Sequence, residues 1–191
     1  EAIESSMLAW NTWSKTSLEE RTKIFREAAD LLQGPWRDTI NAATMLNQSK
    51  NAFQAEIDAA CELIDFFNFN CQYAEDIHNN QPLISPEGVK NSLEYRPLEG
   101  FVFAITPFNF TSIAGNLPCA PALMGNVAIW KPASSAVLPC YYLMEMLKEA
   151  GLPDGVINFL PGSGSKVGDP VLINPNLSGV HFTGSTQTFQ H

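Results

Sequence analysis

The sequence predicts an α/β fold: a helical front segment over residues 1–98, then a parallel-sheet segment over residues 99–191. Three observations predict it. Up to about residue 80 the apolar residues recur at helical spacing. From residue 100 onward, short continuously apolar runs alternate with helical stretches, as in parallel strands joined by helical crossovers. Each apolar run also ends in a polar or glycine-rich stretch, and open α/β sheets take ligands at their carboxyl strand ends.

Taken in order, Ser17 and Glu20 form a capping box ahead of Ile24, Phe25, Ala28, Leu31 and Leu32, and Gly34-Pro35 stops that helix. A shorter helix fits Trp36 to Leu46. A long one fits Asn51 to Asn79, with Ile57, Ile64, Phe67 and Cys71 on one apolar face. Gln81 to Lys90 holds two prolines and Gly88 and reads as a loop. Asn91 to Arg96 alternates, with Leu93 and Tyr95 on one side, and reads as an exposed or edge strand of the oligomerisation type. Four buried strands follow: Phe101–Ile105, Val127–Trp130, Val156–Leu160 and Gly179–Phe182. The clearest helix between them runs from Ser135 to Glu149, ended by Gly151 and Pro153.

Composition narrows the function classes. A length of 191 residues with 45% apolar content suits one large domain or parts of two. The net charge of −9 offers no basic patch for phosphates and argues against nucleic acid. No run of 18 apolar residues occurs, so no membrane span is expected. Cys61, Cys71, Cys119 and Cys140 form no CxxC pair and have no His cluster beside them, so no metal site is expected. They read as small buried or half-buried residues of a reducing compartment. Glu1 falls inside a helical pattern and another helix opens near His191, so both ends read as cut, and any targeting segment lies outside the chain.

The strand ends carry the candidate chemistry. After the first strand stands Thr106-Pro107-Phe108-Asn109-Phe110, and after the second Lys131-Pro132-Ala133-Ser134. After the third comes Gly162-x-Gly164-x-x-x-Gly168, and after the fourth Thr183-Gly184-Ser185. The glycine run is one residue longer than the dinucleotide fingerprint and follows the wrong strand. It is either a strand-to-helix turn or a ligand loop, and a standard Rossmann dehydrogenase is not supported. Lys131 is either a solvated strand-end lysine or a donor to ribose or phosphate. Asn109 either holds a left-handed turn or aims an amide donor at a developing oxyanion.

Three of these stretches together resemble the aldehyde dehydrogenase superfamily. Thr106–Phe110 is similar to its PWNFP-type motif, Gly125–Pro132 to its GN-x-x-x-x-KP strand and Phe182–Ser185 to its FTGS motif, in the same order and spacing. Asn51–Ala60, Glu62–Phe67 and Ala120–Val127 are most like the branch that oxidises glutamate semialdehyde to glutamate with NAD, in proline breakdown. The resemblance implies a Rossmann-like NAD-binding domain over 99–191 and a covalent mechanism: a cysteine thiolate forms a thiohemiacetal, hydride leaves to nicotinamide, and water hydrolyses the thioester. It implies that Asn109 is the oxyanion donor. Thr106, Pro107, Phe108, Lys131, Ser134, Gly162, Gly164, Gly168, Phe182, Thr183, Gly184 and Ser185 would hold the cofactor. Glu62 and Phe110 would line the aldehyde pocket, although Glu62 also reads as one more exposed helical glutamate. Ser134 stands where many NAD-preferring members carry glutamate, which leaves tolerance of NADP open. The resemblance further implies a homo-oligomer, a dimer or larger, a small aldehyde as partner and a mitochondrial matrix location.

The family's catalytic cysteine and general-base glutamate lie beyond the FTGS motif, so the catalytic domain is expected to be absent and these 191 residues alone inactive. Two other readings stand beside this one: another aldehyde dehydrogenase with a different substrate, and a non-catalytic paralogue that acts as a binding or assembly partner.

Overall fold

The structure, a computed structural model, describes residues 1–190. Helix α1 spans Ala2–Trp13 and α2 Leu18–Gln33. The predicted capping box is present: Ser17 Oγ accepts from the Glu20 amide at 3.2 Å, and the Glu20 carboxylate accepts from the Ser17 amide at 3.1 Å. Such a cap stabilises a helix by about 1 kcal/mol. The Gly34 amide closes α2 on Asp30 O at 3.0 Å. Helix α3, Arg37–Gln48, ends where Ser49 turns left-handed at φ 53°.

The long helix differs from the expectation. It is broken into α4 (Ala52–Ala55), a π-helical turn (Glu56–Cys61) and α5 (Glu62–Asn79). A π turn carries one extra residue and so rotates the faces on either side of it. Ala55, Ala59, Ala60, Leu63, Phe67 and Cys71 point inward, while Ile57, expected on the apolar face, is 61% exposed. The strand expected over Asn91–Arg96 is also absent among the described residues, since the segment joins no ladder. The side chain of Gln81 takes the place of a neighbouring strand there. Its Oε1 accepts from the Leu93 amide at 2.8 Å and its Nε2 donates to Leu93 O at 3.2 Å. An alternating pattern promotes extended backbone, but it does not supply the backbone partner that makes a strand.

The sheet comprises β1 (Phe101–Ile105), β2 (Val127–Lys131), β3 (Ile157–Phe159) and β4 (Leu177–Phe182), all parallel, in the order β3-β2-β1-β4. Helix α6 (Thr111–Leu123) links β1 to β2, α7 (Val137–Glu149) links β2 to β3, α8 (Gly164–Leu172) links β3 to β4, and α9 (Thr186–Gln190) follows β4. The central strands are covered on both faces: Phe101, Phe103 and Val127 through Trp130 are all fully buried. Strand β4 is only half-buried.

One apolar cluster runs from Trp13, Phe25, Leu32 and Phe67 through Phe103 and Ile129 to Leu143 and Met146, so the helical segment and the sheet share a core. Polar pins reinforce that junction. The last carbonyls of α6, which a helix leaves unpaired, accept from Trp13 Nε1 (Ala122 O, 2.9 Å) and Arg21 Nε (Leu123 O, 2.7 Å). Gly115 lets α5 and α6 approach closely, since a Cβ there would lie 2.9 Å from Leu63 Cδ2. Gly125 turns α6 into β2 at φ +88°, where a Cβ would also strike Pro97 at 2.7 Å.

Candidate active site

The order β3-β2-β1-β4 places a topological switch between β1 and β4, because the chain leaves β1 toward one side of the sheet and later returns on the other. A crevice opens at the carboxyl ends of strands at such a point. Two backbone bonds carry the ladders past the strands into it: Thr106 N to Lys131 O at 3.1 Å, and Thr183 N to Ile105 O at 3.2 Å. The resulting cleft has a volume of about 430 Å³. Its walls are Ile105, Thr106, Pro107, Phe108 and Asn109 from the first strand end, Lys131 and Ala133 from the second, and Phe182, Thr183, Gly184, Ser185 and Thr188 from the fourth.

Lys131 is 9% exposed, and the protein offers its ammonium one acceptor, Pro132 O, at 3.3 Å. Burial pushes its pKa below that of an ordinary lysine. A desolvated ammonium with donors to spare is suited to a ribose hydroxyl or a phosphate oxygen. Thr106 cannot serve a ligand as freely, because its Oγ1 accepts from Trp130 Nε1 at 3.0 Å and the residue is buried. Asn109 is exposed and its side-chain amide takes no partner among the described residues, while its backbone carbonyl accepts from Lys50 Nζ. Ser185 caps the short α9, its Oγ accepting from the Thr188 amide at 3.1 Å. A Cβ at Gly184 would lie 2.6 Å from Phe182 Cζ, so a side chain there would displace that ring.

The sequence pattern of the aldehyde dehydrogenase family matches residues 1–191. The chain belongs to the aldehyde dehydrogenase family. It is 54% identical over 188 residues to the mitochondrial delta-1-pyrroline-5-carboxylate dehydrogenase of Dictyostelium discoideum, covering 98% of this chain and 34% of that protein. It is 51% identical over 190 residues to the human mitochondrial protein of the same name, covering 100% of this chain and 34% of that protein. The crystal structure of the Mycobacterium tuberculosis delta-pyrroline-5-carboxylate dehydrogenase bound with NAD superposes with a TM-score of 0.97 at 58% identity, over 100% of this chain and 35% of that one. The chain thus spans about a third of the length of the curated relatives it matches.

Of the aldehyde dehydrogenase positions expected from sequence, the cleft brings together Thr106, Pro107, Phe108, Asn109, Lys131, Phe182, Thr183, Gly184 and Ser185. It does not include Ser134, three residues beyond Lys131, or Gly162, Gly164 and Gly168, which follow β3, the strand farthest from β4. Gly162 has a local reason, as a Cβ there would meet Val167 Cγ2 at 2.6 Å. Gly164 and Gly168 have none, since a Cβ at either would meet nothing within 4 Å. Glu62 and Phe110 do not line the cleft either. The Glu62 carboxylate accepts from the buried Ser112 hydroxyl, and the Phe110 ring lies under Lys50, its centroid 4.5 Å from Nζ.

Sequence reading missed Ala133, Thr188, Ser112 and Lys50. The first two could have been found as neighbours of matched motifs. Lys50 has no local signal, being one lysine ahead of a helix. Burial raises the pKa of all four thiols, Cys71 to about 11 and Cys119 and Cys140 further, so they stay protonated at neutral pH. Among the described residues no group of three or more His, Cys, Asp or Glu is placed to hold a metal ion, and no helix is long and apolar enough to cross a membrane.

Proposed function

We propose that this chain is the cofactor-binding and oxyanion-forming part of an NAD-dependent dehydrogenase that oxidises L-glutamate 5-semialdehyde to L-glutamate. The observation that carries this reading is the cleft at the switch point, where a free asparagine amide and a buried, under-partnered lysine ammonium open onto one space. Support comes from identities of 51–58% over nearly the whole chain to proteins named for that reaction.

The residues present fit NAD. Lys131 has donors to spare beyond its bond to Pro132 O, suited to a ribose. Ser185 is a hydroxyl at the entrance to α9, Phe182 is an apolar wall, and Thr183 and Gly184 leave the backbone accessible. When bound, the cofactor accepts the hydride. The chain's own contribution is orientation and charge stabilisation. As the aldehyde oxygen gains negative charge, the Asn109 amide donates to it, and such preorganised donors act mainly on the transition state. Glu62 and Phe110 belong to the aldehyde side of the Asn109 turn. The nucleophile and general base would come from the remaining two thirds of the protein. Residues 1–98 carry packing and, through the exposed Asn91–Arg96 segment, self-assembly; residues 99–191 carry the cofactor. A mitochondrial location is supported by the names of eukaryotic relatives; the matrix within it is the resemblance's implication, and fractionation of source cells tests it.

The deciding experiment uses the full-length protein. Purified enzyme should form NADH from glutamate semialdehyde far faster than from simple aliphatic aldehydes, without a need for coenzyme A. Asn109→Ala should lower turnover by ~10²-fold or more with little change in NAD affinity. Equal rates on all aldehydes would refute the substrate, and near-normal turnover in the variant, with hydride transfer rate-limiting, would refute the role of Asn109.

A further inference from the structure

Lys50 ties the helical layer to the turn that carries Asn109. It stands between α3 and α4, and its Nζ donates to the Asn109 carbonyl. The same nitrogen lies 2.6 Å from Asp58 Oδ2 and 4.5 Å from the Phe110 ring centroid. The Lys50 side chain is 12% exposed and that of Asp58 22%. An ammonium enclosed to this degree loses hydration and is retained only where its partners replace it. All three partners converge on two consecutive residues of the turn and on the π turn that faces them.

The consequence is geometric. With the Asn109 carbonyl held and the next ring held under the same ammonium, the peptide joining Asn109 to Phe110 cannot rotate. The side chain of Asn109, a residue that lines the cleft, then keeps only its own two torsions. Asp58 sits in the π turn that swings Ile57 into solvent, so the irregularity in the helix and the grip on the turn are parts of one arrangement. We propose that Lys50, set in place by Asp58, is a positioning residue for the oxyanion donor: it fixes the plane of the Asn109–Phe110 peptide and hence the direction of the Asn109 amide. This rests on the reading of Asn109 given above.

The test is a cycle in the full-length enzyme, read by single-turnover NADH formation, steady-state kcat and KM, and NAD binding by calorimetry. Lys50→Met should lower the single-turnover rate by ~10–10²-fold, the range expected when a reacting geometry slips by a fraction of an ångström to an ångström. NAD affinity should not change, and Lys50→Arg should recover most of the rate. In an Asn109→Ala background, Lys50→Met should cost no more than about twofold further, because its effect passes through the missing amide. Asp58→Asn should follow the same pattern at smaller size, and with Asn109→Ala it supplies the cycle if Lys50→Met does not fold. Near-normal rates in Lys50→Met and Asp58→Asn, with Asn109→Ala still ~10²-fold impaired, would overturn the proposal and leave Asn109 standing. Full additivity in the double variant would overturn it as well. Near-normal turnover in Asn109→Ala itself would overturn the reading of Asn109 and this proposal with it.

Discussion

Replacing Lys131 by methionine separates ligand binding from stability more cleanly than any other change in the cleft. In the free protein its ammonium is buried, with three donors and one long contact, 3.3 Å to Pro132 O. Methionine fills similar volume without the desolvated charge, so stability should hold or rise slightly. In the proposed role the lysine gains acceptors when NAD binds. Losing one or two charge-assisted hydrogen bonds there should cost about 1–3 kcal/mol net, a Kd for NAD raised roughly 5- to 150-fold. The pH dependence follows from the same burial. Desolvation lowers the lysine's pKa in the free protein, whereas an acceptor favours the charged form and raises it. Binding therefore takes up a proton at alkaline pH, and affinity should fall as pH rises through the depressed free-state value. Calorimetry with the full-length protein across the alkaline range, beside thermal unfolding without ligand, measures both effects. Lys131→Met should show weaker binding, an unchanged or slightly raised midpoint and no alkaline limb. Unchanged affinity would refute the role. So would weaker binding accompanied by an equal loss of stability, which would make Lys131 a packing residue.

Two further outcomes are expected. The Glu56 carboxylate, held chiefly by the Arg37 guanidinium and also by Asn41, has its pKa drawn down to about 2. Its contribution is therefore present above the ordinary carboxylate range and lost as pH falls toward 2; urea unfolding of the full-length protein at pH 3 and 6 should show this acid loss, absent in Glu56→Gln and of order 1 kcal/mol or less, since both partners are partly exposed. The 191 residues expressed alone should form no NADH, bind NAD weakly at most and self-associate by light scattering, because the outer edge of β4 is unpaired among the described residues and Val180 and Phe189 are 45% and 68% exposed. Turnover from that piece would contradict the assignment of the nucleophile to the rest of the protein, and a stable monomer would contradict only the argument from exposed surface.

The parts of the fold legible in the sequence were those set by local chemistry. Ser17 and Glu20 announced α2 because a capping box satisfies its donors within four residues. The four apolar runs announced the strands because parallel strands are buried on both faces. What stayed hidden depends on distant partners. The π turn at Glu56–Cys61 is formed where Arg37, Asn41 and Lys50 hold Glu56 and Asp58, and helical periodicity carries no trace of such neighbours. Asn91–Arg96 has the alternation of a strand, yet its Leu93 backbone groups are taken by one side chain. The candidate site divides the same way. Thr106 to Asn109, Lys131 and Phe182 to Ser185, at the ends of β1, β2 and β4, meet in the cleft, while Ser134 does not. Gly164 and Gly168 lie outside it, since glycine spacing describes a loop and does not fix which crevice the loop faces. Lys50 was illegible because its value comes from a carbonyl in a turn that follows a separate strand.

The strand order has a consequence in time. The strand that becomes the centre of the sheet is the first of the four to be synthesised, and the neighbour on its far side is the last. Pairing β4 with β1 closes a long loop, which is the slow kind of step in folding. Until it happens, a chain holding β1, β2 and β3 has Asn109 and Lys131 in sequence but no opposite wall, since Phe182 through Ser185 arrive with the last strand. Among the features of these four strands the cleft is then the last to form, and any ligand that needs both walls stabilises only chains in which β4 has paired with β1. Ligand added during refolding should accordingly leave the early kinetic phases untouched and deepen only the last one.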